Sequence, residues 1–499
     1  MAEISLSEIP AAVDELRTSF VSRPRRSTQF VKTQLLSLKE SVKKYRSELI
    51  QSLVTDFNRA PLETVIGEFA PVEGELTYLI NNLSSLTAPE YPTSKPFAYA
   101  VVPIRLEKEA LGTILIVSPF NFPLLLSLSP LVGALSAGNN VVLKLPYDRC
   151  PTFCSVLTKV LSESIDPEVL KIVNGGLPES KALLEQKYDK IMFTGSTSVG
   201  KIVHAKAAES LTPTLLELGG KSPTFLTASA DLEVAITRIL WGTFFSAGQA
   251  CTSPDYLLIQ DTIYDKAIST ILKLAKKDWQ FDESSDYTHI INADSYNRLT
   301  KLLETTNGQT IFGGKYDAKT RFLSPTIVAD VDWTDPLMKD EVFGPILPVL
   351  KYSSLEKTVE EVQKFHDTPL ATYVFSNSQQ EIDTVKRIRS GALLINDTMI
   401  HPSIFTCPFG GVGTSGMGAY HGQYSIDTFS HKKIVLQQPK WYEALLKDRY
   451  PPYTQGKIDK LSLVFRIPNV KTLTSGHFQA AVAVLLAVFI GFFLGKRHA

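Results

Sequence analysis

Hydrophobic positions divide the chain into a helical opening and a longer region in which strands alternate with helices. Between residues 27 and 86, apolar side chains recur every three or four positions among many charges, which predicts long surface helices. The first 20 residues carry four acidic side chains and no continuous apolar stretch. They predict an amphipathic helix, exclude a secretory signal and disfavour a mitochondrial presequence.

Short apolar runs beyond residue 110 predict the strands of an α/β fold. The first series comprises 114–117, 141–143, the region of 173, 191–193 and 224–226, with helices predicted at 151–164 and 199–210. A second series begins near residue 232 and comprises 256–259, 326–331, 345–350, 372–375 and 391–396. Because strands and helices alternate, we expect parallel sheets in two α/β lobes.

The carboxyl end has a different pattern. Residues 478–495 are apolar except for Gln479, and Lys496 and Arg497 follow them. A helix of this length spans roughly 27 Å at about 1.5 Å per residue, which suits a thin bilayer. A buried core helix is the alternative, but a terminal helix that is apolar on all sides and closed by two cations favours the membrane. We predict a transmembrane tail anchor at 477–495, a linker at 439–476 and a cytosolic body.

Charge and cysteine content narrow the classes of function. The 499 residues predict roughly three domains at about 150 residues each. Lysine plus arginine and aspartate plus glutamate both total 51, so no electrostatic footprint for nucleic acid is expected. Four cysteines in so long a chain do not form a disulfide framework, and Cys150 and Cys154 are interpreted as helix-packing residues. The eight scattered histidines predict no metal site.

A glycine motif follows the predicted strand at 191–193 and opens a helix. It runs Gly195-Ser-Thr-Ser-Val-Gly200, and backbone amides at such a position suit an anion or a dinucleotide. The spacing is not G-x-G-x-x-G, and Ile202 stands where a P-loop needs serine or threonine. By itself the motif is equally consistent with a structural turn.

Further motifs carry a family resemblance. They are Ser118-Pro-Phe-Asn-Phe-Pro123, Phe193-Thr-Gly-Ser-Thr-Ser-Val-Gly200, Glu217-Leu-Gly-Gly-Lys-Ser-Pro223, Gly248-Gln-Ala-Cys-Thr-Ser-Pro254, Glu341-Val-Phe-Gly-Pro345 and Pro408-Phe-Gly-Gly-Val-Gly413. In this order they resemble the aldehyde dehydrogenase superfamily. The later motifs Ser415-Gly-Met-Gly-Ala-Tyr-His-Gly422 and Asp427-Thr-Phe-Ser-His431 resemble its class 3 branch, which includes membrane-anchored fatty aldehyde dehydrogenases. The resemblance covers about residues 10–455.

The resemblance implies an aldehyde dehydrogenase fold of three parts. Residues 1–95 and 110–216 are expected to form an NAD(P)-binding domain with a Rossmann-like sheet. Residues 217–423 are expected to form an α/β catalytic domain. Strands in 96–109 and 424–438 are expected to bridge subunits, which implies a homodimer.

It also implies the catalytic residues. Cys251 corresponds to the nucleophile, Asn121 to the oxyanion donor acting with the Cys251 backbone N–H, and Glu217 to the general base for the deacylating water. A carboxylate in the apolar sequence Leu215-Leu-Glu-Leu218 should have a raised pKa, which suits a base. The structural alternatives are an inert buried cysteine, a helix cap at Asn121 and an ion pair at Glu217. His421 is interpreted as a structural histidine.

Six residues are expected to bind the cofactor by the same resemblance. They are Gly195 and Ser196 near the pyrophosphate, Gly200 in the same motif, Lys144 at the adenosine ribose, Glu341 at the nicotinamide ribose and Phe343 beside the nicotinamide ring. The family's usual acidic residue three positions after the lysine is replaced by Tyr147. The resemblance favours NAD, but NADP stays possible, because the carboxylate that repels a 2′-phosphate is not at its usual position.

The sequence thus predicts NAD(P)-dependent oxidation of long-chain aldehydes through a covalent cysteine intermediate, without a metal. Apocarotenal, isoprenoid or aromatic aldehydes are alternative substrates. Two rival functions are a catalytically dead membrane adaptor and a CoA-acylating dehydrogenase. The presence of Asn121, Glu217 and Cys251 opposes the first, and the presence of Glu217 opposes the second. The endoplasmic reticulum is the expected location, with peroxisome, mitochondrial outer membrane or lipid droplet as alternatives.

Overall fold

A computed structural model of the protein describes residues 4–23, 26–466 and 470–471. The membrane span predicted at 477–495 lies outside these residues. Among the described helices, none is both long and apolar enough to cross a membrane. The chain divides into two compact units. One comprises the residues up to Leu86 together with Ala110–Phe429, and the other comprises Thr87–Glu109 together with the residues after Phe429.

The opening of the larger unit is helical, as predicted. Its helices are Ile9–Ser22, Thr28–Lys44, Arg46–Phe57, Pro61–Thr64 and Ala70–Leu86. Ser27 caps the second of them by accepting a hydrogen bond from the Phe30 N–H at 3.1 Å. A π-helical turn, Val65–Phe69, joins the last two, and it holds about one residue more than a turn of α-helix.

A six-stranded sheet follows the helical opening. Five neighbouring strands are parallel and the edge strand Gly416–Met417 is antiparallel. In spatial order the strands are Gly416–Met417, Thr214–Glu217, Lys190–Thr194, Thr113–Val117, Asn140–Pro146 and Leu170–Gly175. The central strands are fully buried apolar runs, which is typical of parallel sheets covered on both faces. The strands predicted at 114–117, 141–143 and 191–193 are confirmed.

A seven-stranded sheet forms the second lobe. In spatial order its strands are Gln309–Phe312, Thr326–Ala329, Ile346–Tyr352, Tyr256–Gln260, Pro223–Leu226, Ala371–Phe375 and Ala392–Ile395. All neighbours are parallel except the antiparallel edge strand Gln309–Phe312. Grouping 224–226 with the first series was wrong, because this strand pairs with Tyr256–Gln260 and Ala371–Phe375.

Helices cover both sheets of the larger unit. They are Leu125–Ser136, Pro151–Ser164, Leu177–Leu184, Thr197–Ala208, Leu232–Phe244, Tyr264–Asp278, Ala293–Thr305, Pro336–Lys339, Leu355–Phe365, Gln379–Val385 and Gly422–Thr428. The helix predicted at 151–164 is confirmed at both ends. The helix predicted from 199 begins earlier, at Thr197, because Ser196 supplies the cap. A short antiparallel pair, Tyr316–Asp317 with Phe322–Leu323, completes the unit.

The smaller unit contains two strand pairs. Ile104–Ala110 pairs with Ser430–Leu436, and Ser94–Lys95 pairs with Val470–Lys471. Helices Glu443–Leu446 and Gln455–Arg466 lie in the range predicted as a linker. A role of this unit in bridging subunits stays a prediction.

Candidate active site

The carboxyl ends of the six-stranded sheet collect most of the predicted site residues. Lys144 lies near the end of strand Asn140–Pro146, and Gly195 and Ser196 directly follow strand Lys190–Thr194. Glu217 ends the neighbouring strand and accepts a backbone hydrogen bond from Gly195 at 3.0 Å. Ligands of open α/β sheets bind at this edge, because successive strand ends open there into loops.

The loop before Cys251 has an unusual backbone. Ser246, Ala247 and Gly248 all have positive φ angles, of 56°, 52° and 66°. Such left-handed geometry is unfavourable for the two residues that carry a Cβ atom. At Gly248 a side chain is excluded as well, since an added Cβ would lie 2.2 Å from the carbonyl oxygen of Gly344. The loop thus reverses sharply and presses against the Glu341-Val-Phe-Gly-Pro345 segment.

Two hydrogen-bonding side chains hold this reversed loop. The half-buried Glu63 carboxylate accepts from the Ser246 N–H at 2.8 Å and from the Thr288 hydroxyl at 2.6 Å. Gln249 donates to the His289 carbonyl at 3.0 Å and accepts from the Ile291 N–H at 3.0 Å. The backbone that presents Cys251 is therefore fixed on both sides of its turn.

Cys251 is partly exposed and lines an apolar cavity. Burial raises the pKa of its thiol to about 12, and the negative charges of Glu341 and Glu217 act in the same direction. The backbone N–H groups of Cys251 and Thr252 oppose this shift by favouring the thiolate. At neutral pH the resting residue is a protonated thiol that lies close to two carboxyl groups.

Glu217 is only 3% exposed. Among the described residues, neither of its carboxyl oxygens has a hydrogen-bond partner. Burial raises the pKa of Glu217 well above its usual range. The side chain is thus not held in an ion pair, which was the structural alternative for this residue. An unpartnered buried carboxyl group beside a thiol is suited to bind and deprotonate a water molecule.

Glu341 and Phe343 lie on a segment that a buried ion pair holds in place. The Lys221 ammonium contacts the Asp255 carboxylate and donates to the carbonyl oxygens of Leu337 and Asp340, at 2.8 and 3.1 Å. Asp255 in turn accepts from the Val342 N–H at 2.9 Å. Lys221 and Asp255 therefore fix the backbone on either side of Glu341.

Glu341 itself lies against Gly219, where an added Cβ would be 2.1 Å from its Oε2 atom. Burial raises the pKa of Glu341 to about 8, with the charge of Asp255 acting in the same direction. The ring of Phe343 meets that of Phe120 edge-on, with centroids 6.0 Å apart. Glu341 and Phe343 thus join Glu217 and Cys251 at one locality.

Asn121 lies in the loop after strand Thr113–Val117 and is 4% exposed. Its backbone carbonyl accepts a hydrogen bond from Arg59 Nη1 at 2.5 Å. The next residue, Phe122, lines the same cavity as Cys251. The structure therefore brings the loop of Asn121 to the wall of the cavity that contains the thiol.

The cavity encloses about 250 Å³. Its lining is mainly apolar or aromatic, and it comprises Ile66, Gly67, Pro71, Phe122, Leu125, Leu126, Trp241, Phe245, Cys251, Thr252, Met399, Ile400, Pro402, Ser403, Phe409, Tyr420 and His421. An apolar lining of this kind favours a substrate with a hydrocarbon body, because burial of apolar surface drives its binding.

Tyr420 and His421 line the cavity, and sequence motifs assign neither of them a catalytic role. The Tyr420 hydroxyl and His421 Nδ1 are buried and have no hydrogen-bond partner among the described residues. Burial lowers the pKa of His421 to about 3, so its ring is neutral. Burial also raises the pKa of neighbouring Glu75 to about 7. His421 therefore lies in a buried polar cluster at the cavity wall.

The glycine motif fits a dinucleotide cofactor. Ser196 caps helix Thr197–Ala208, so the helix N-terminus faces the sheet edge. An added Cβ at Gly200 would lie 2.5 Å from Leu218 Cδ2. The helix therefore packs closely on Leu218, the residue that follows strand Thr214–Glu217. The Lys144 side chain is buried, and this lowers its pKa. Asp148 and Glu179 favour its charged form, so acidic groups are present near Lys144 although Tyr147 is not one.

Sequence motifs identified the loop of Cys251 and the strand-end carboxylate of Glu217 as candidates but missed the residues that support them. Arg59, Glu63 and the pair of Lys221 with Asp255 have no catalytic motif of their own. The available signal was the presence of charges inside otherwise apolar motifs, as at Lys221 in Glu217-Leu-Gly-Gly-Lys-Ser-Pro223. A buried charge of this kind needs a partner, and only the fold shows which one it has.

Comparisons with known proteins agree with this geometry. The chain is 40% identical to the fatty aldehyde dehydrogenase HFD1 of Saccharomyces cerevisiae, over 95% of this chain and 92% of the relative. It is 36% identical to the beta-apo-4'-carotenal oxygenase of Neurospora crassa, over 98% and 91%. The substrate-bound structure of Staphylococcus aureus AldH superposes with a TM-score of 0.88 at 33% identity, over 92% of this chain and 99% of that one. The profile of the aldehyde dehydrogenase family matches residues 1–435, and the chain belongs to this family.

Proposed function

We propose that the protein oxidises long apolar aldehydes to carboxylic acids with NAD or NADP as the hydride acceptor. The observation that carries this proposal is the thiol of Cys251 on the wall of an apolar cavity, within electrostatic range of the unpartnered carboxyl group of Glu217. A hydrocarbon chain fits the lining, and a polar reacting group would lie at the thiol. The similarity to a yeast fatty aldehyde dehydrogenase supports this substrate class.

The first step is addition of the Cys251 sulfur to the aldehyde carbon. The thiol passes its proton to solvent water, the new C–S bond forms, and the carbonyl π electrons move onto oxygen. The Asn121 side-chain amide and the Cys251 N–H are proposed to donate to that oxygen, since donors aimed at a developing oxyanion lower the barrier. Removal of one such donor slows comparable reactions by about 10²–10³-fold.

The bound nicotinamide supplies the acceptor for the hydride that leaves the tetrahedral carbon. Gly195, Ser196, Gly200 and Lys144 are proposed to hold the dinucleotide. Glu341 and Phe343 are proposed to orient its nicotinamide end. Loss of hydride leaves an acyl group on the Cys251 sulfur as a thioester.

The last step is hydrolysis of this thioester. Glu217 is proposed to take a proton from a water molecule as the water oxygen attacks the acyl carbon. It then returns this proton to the Cys251 sulfur as the C–S bond breaks, so that the thiol is regenerated and the carboxylic acid is released. The raised pKa of Glu217 makes the carboxylate a stronger base than an exposed one. Release of acid without CoA distinguishes this route from a CoA-acylating one.

An apocarotenal substrate is a second candidate, favoured by the similarity to the carotenal oxygenase of Neurospora crassa. Both substrates are long and apolar, so both fit the cavity lining. A tail anchor at 477–495 would hold the site close to a membrane in which either aldehyde dissolves. We also propose that the protein is located at the endoplasmic reticulum and that it forms a homodimer.

The test is NADH and NADPH formation by the full-length protein in detergent, across aldehydes from short aliphatic to hexadecanal and an apocarotenal. We expect kcat/KM to rise with chain length and activity to be abolished by Cys251→Ala. The matched control is Cys407→Ala, because Cys407 is an exposed free cysteine and should be dispensable. Activity that survives in Cys251→Ala, or an equal rate for all chain lengths, would contradict the proposal.

A further inference from the structure

A fully buried ion pair lies beneath the loop that carries Asn121. The side chains of Arg59 and Glu68 are both 0% exposed, and Arg59 Nη1 lies 3.0 Å from Glu68 Oε1. Arg59 follows helix Arg46–Phe57, whereas Glu68 lies in the π-helical turn Val65–Phe69. Neither residue is part of the motifs that identify the family, and neither lines the cavity.

This ion pair contacts the Asn121 loop at both of its ends. At one end, Arg59 Nη1 donates to the Asn121 carbonyl oxygen at 2.5 Å. At the other end, Glu68 Oε2 accepts from the backbone N–H groups of Leu124 and Leu125, at 2.6 and 3.2 Å. These amides begin helix Leu125–Ser136, where a carboxylate is favoured.

The middle of the loop is held by the same arginine. The Arg59 guanidinium carbon lies 4.4 Å from the centroid of the Phe122 ring, in a cation–π contact. On its other side, the Phe122 ring stacks on Phe245, with centroids 6.1 Å apart. Gly67 leaves room for both rings, because an added Cβ would lie 3.1 Å from each. Four of the five residues from Asn121 to Leu125 are thereby fixed through one pair of charges.

Stability alone is a poor reason for such an arrangement. Removing two charges from water opposes folding, and well-packed apolar residues in place of a buried ion pair are commonly neutral or stabilising. The hydrogen bonds that Arg59 and Glu68 make to the loop backbone fix orientation in a way that apolar packing does not. The orientation fixed here is that of the backbone from which the Asn121 amide projects.

We propose that Arg59 and Glu68 are positioning residues that set the Asn121 amide for the oxyanion, acting only through the loop at 121–125. This inference rests on the proposed function, because it assigns a support to the oxyanion donor of that reaction. It predicts that loss of the ion pair reduces turnover while leaving aldehyde binding and cofactor binding nearly unchanged.

The test is a double-mutant cycle in the full-length protein. Asn121→Ala is expected to lower kcat by about 10²–10³-fold. Arg59→Met is expected to lower kcat by about 10–100-fold, the size expected of a small misplacement of a reacting group, with KM changed less than about threefold. In the Asn121→Ala background, Arg59→Met should lower kcat no further than about threefold, since the group through which it acts is already absent.

Glu68→Gln and Arg59→Lys provide milder variants for the same cycle if Arg59→Met fails to fold. Glu68→Gln keeps an acceptor oxygen but removes the charge, and Arg59→Lys keeps the charge but not the planar guanidinium. Thermal unfolding and the NADH-binding constant are measured for each variant.

The matched control is Arg46→Met. Arg46 pairs with Glu73 at 2.5 Å and lies 4.5 Å from the Phe69 ring centroid, in the same helical region but without a contact to the Asn121 loop. We expect Arg46→Met to leave kcat unchanged. The inference is overturned if Arg59→Met lowers kcat by the same factor with and without Asn121, or leaves kcat at the wild-type value. Failure of the proposed function is seen separately, in the wild-type protein and in Cys251→Ala.

Discussion

The free enzyme should react slowly with alkylating reagents at Cys251, although this residue is the proposed nucleophile. Iodoacetamide reacts with the thiolate, so its rate follows the fraction of thiol that is ionised. Burial raises the pKa of Cys251 to about 12, with Glu341 and Glu217 contributing in the same direction. The ionised fraction should therefore be very small at neutral pH.

The size of the effect follows from these pKa values. At pH 8 about one Cys251 thiol in 10⁴ is ionised, against roughly one in four for an ordinary thiol of pKa about 8.5. The ratio is about 2,000-fold. A more basic thiolate is a better nucleophile, and a Brønsted slope of about 0.4–0.5 restores roughly 25–60-fold. Cys251 should thus be alkylated about 40- to 100-fold more slowly than an ordinary thiol.

The measurement is the rate of carbamidomethylation of the Cys251 peptide by mass spectrometry from pH 7 to pH 10.5. The exposed Cys407 peptide serves as an internal reference. The Cys251 rate should still be rising about tenfold per pH unit at the upper limit. Glu341→Gln should accelerate it above about pH 8, where the Glu341 carboxyl is ionised, because removal of that negative charge lowers the thiol pKa. The exposed Glu360→Gln is the control and should have no effect.

Burial and the two carboxylates would not control the ionisation of Cys251 if its peptide reacted as fast as that of Cys407. A rate that reached a plateau below pH 9 would refute the same account. An unchanged rate in Glu341→Gln would show that the charge of Glu341 does not reach the thiol.

Three other outcomes are expected. Glu217→Gln should give one burst of NADH followed by a stalled acyl-enzyme. In the wild type the deacylation rate should rise with pH, because the base has a raised pKa, and the variant should lose this rise. Steady turnover of the variant at the wild-type rate would contradict the role of Glu217. Gly248→Ala should destabilise the protein by at least about 2 kcal/mol, because it combines a left-handed backbone with a Cβ 2.2 Å from a carbonyl oxygen. The control Gly456→Ala, whose added Cβ has no atom within 4 Å, should not lower the thermal midpoint. Ile66→Trp should narrow the cavity and lower kcat/KM for hexadecanal far more than for propanal, and an equal loss for both aldehydes would count against the cavity as the chain-binding site.

Local sequence patterns predicted the individual strands and helices of this fold better than they predicted which strands pair. Buried strands such as Thr113–Val117 are continuous apolar runs, which any sequence window detects. The strand Pro223–Leu226 has the same local pattern, yet it belongs to the other sheet, because sheet membership depends on pairing between distant segments. Helix starts were placed late where a serine cap, as at Ser196, had not been used as a boundary.

In the candidate site, too, the residues within local motifs could be predicted and those that depend on distant contacts could not. Cys251 and Glu217 lie within recognisable motifs, so the sequence was sufficient to propose their chemistry. Arg59 and Glu68 are more than 50 residues from Asn121 in the chain, and nothing in their local sequence shows that both are buried. Sequence periodicity indicates which face of a helix is buried. It does not indicate which partner a buried charged side chain has.

The π-helical turn Val65–Phe69 has a consequence for the evolution of the chain. Such a turn is equivalent to a single inserted residue, and each residue rotates an α-helix by about 100°. Deletion of one residue there would restore a regular helix but change the phase of Glu68 relative to Ala70–Leu86, whose buried face packs in the core. Glu68 could then not meet Arg59 without turning that face away. The extra residue of the π-helical turn therefore couples the phase of the helix to the Arg59–Glu68 ion pair. A related chain that lacks the π-helical turn is expected to lack the ion pair as well.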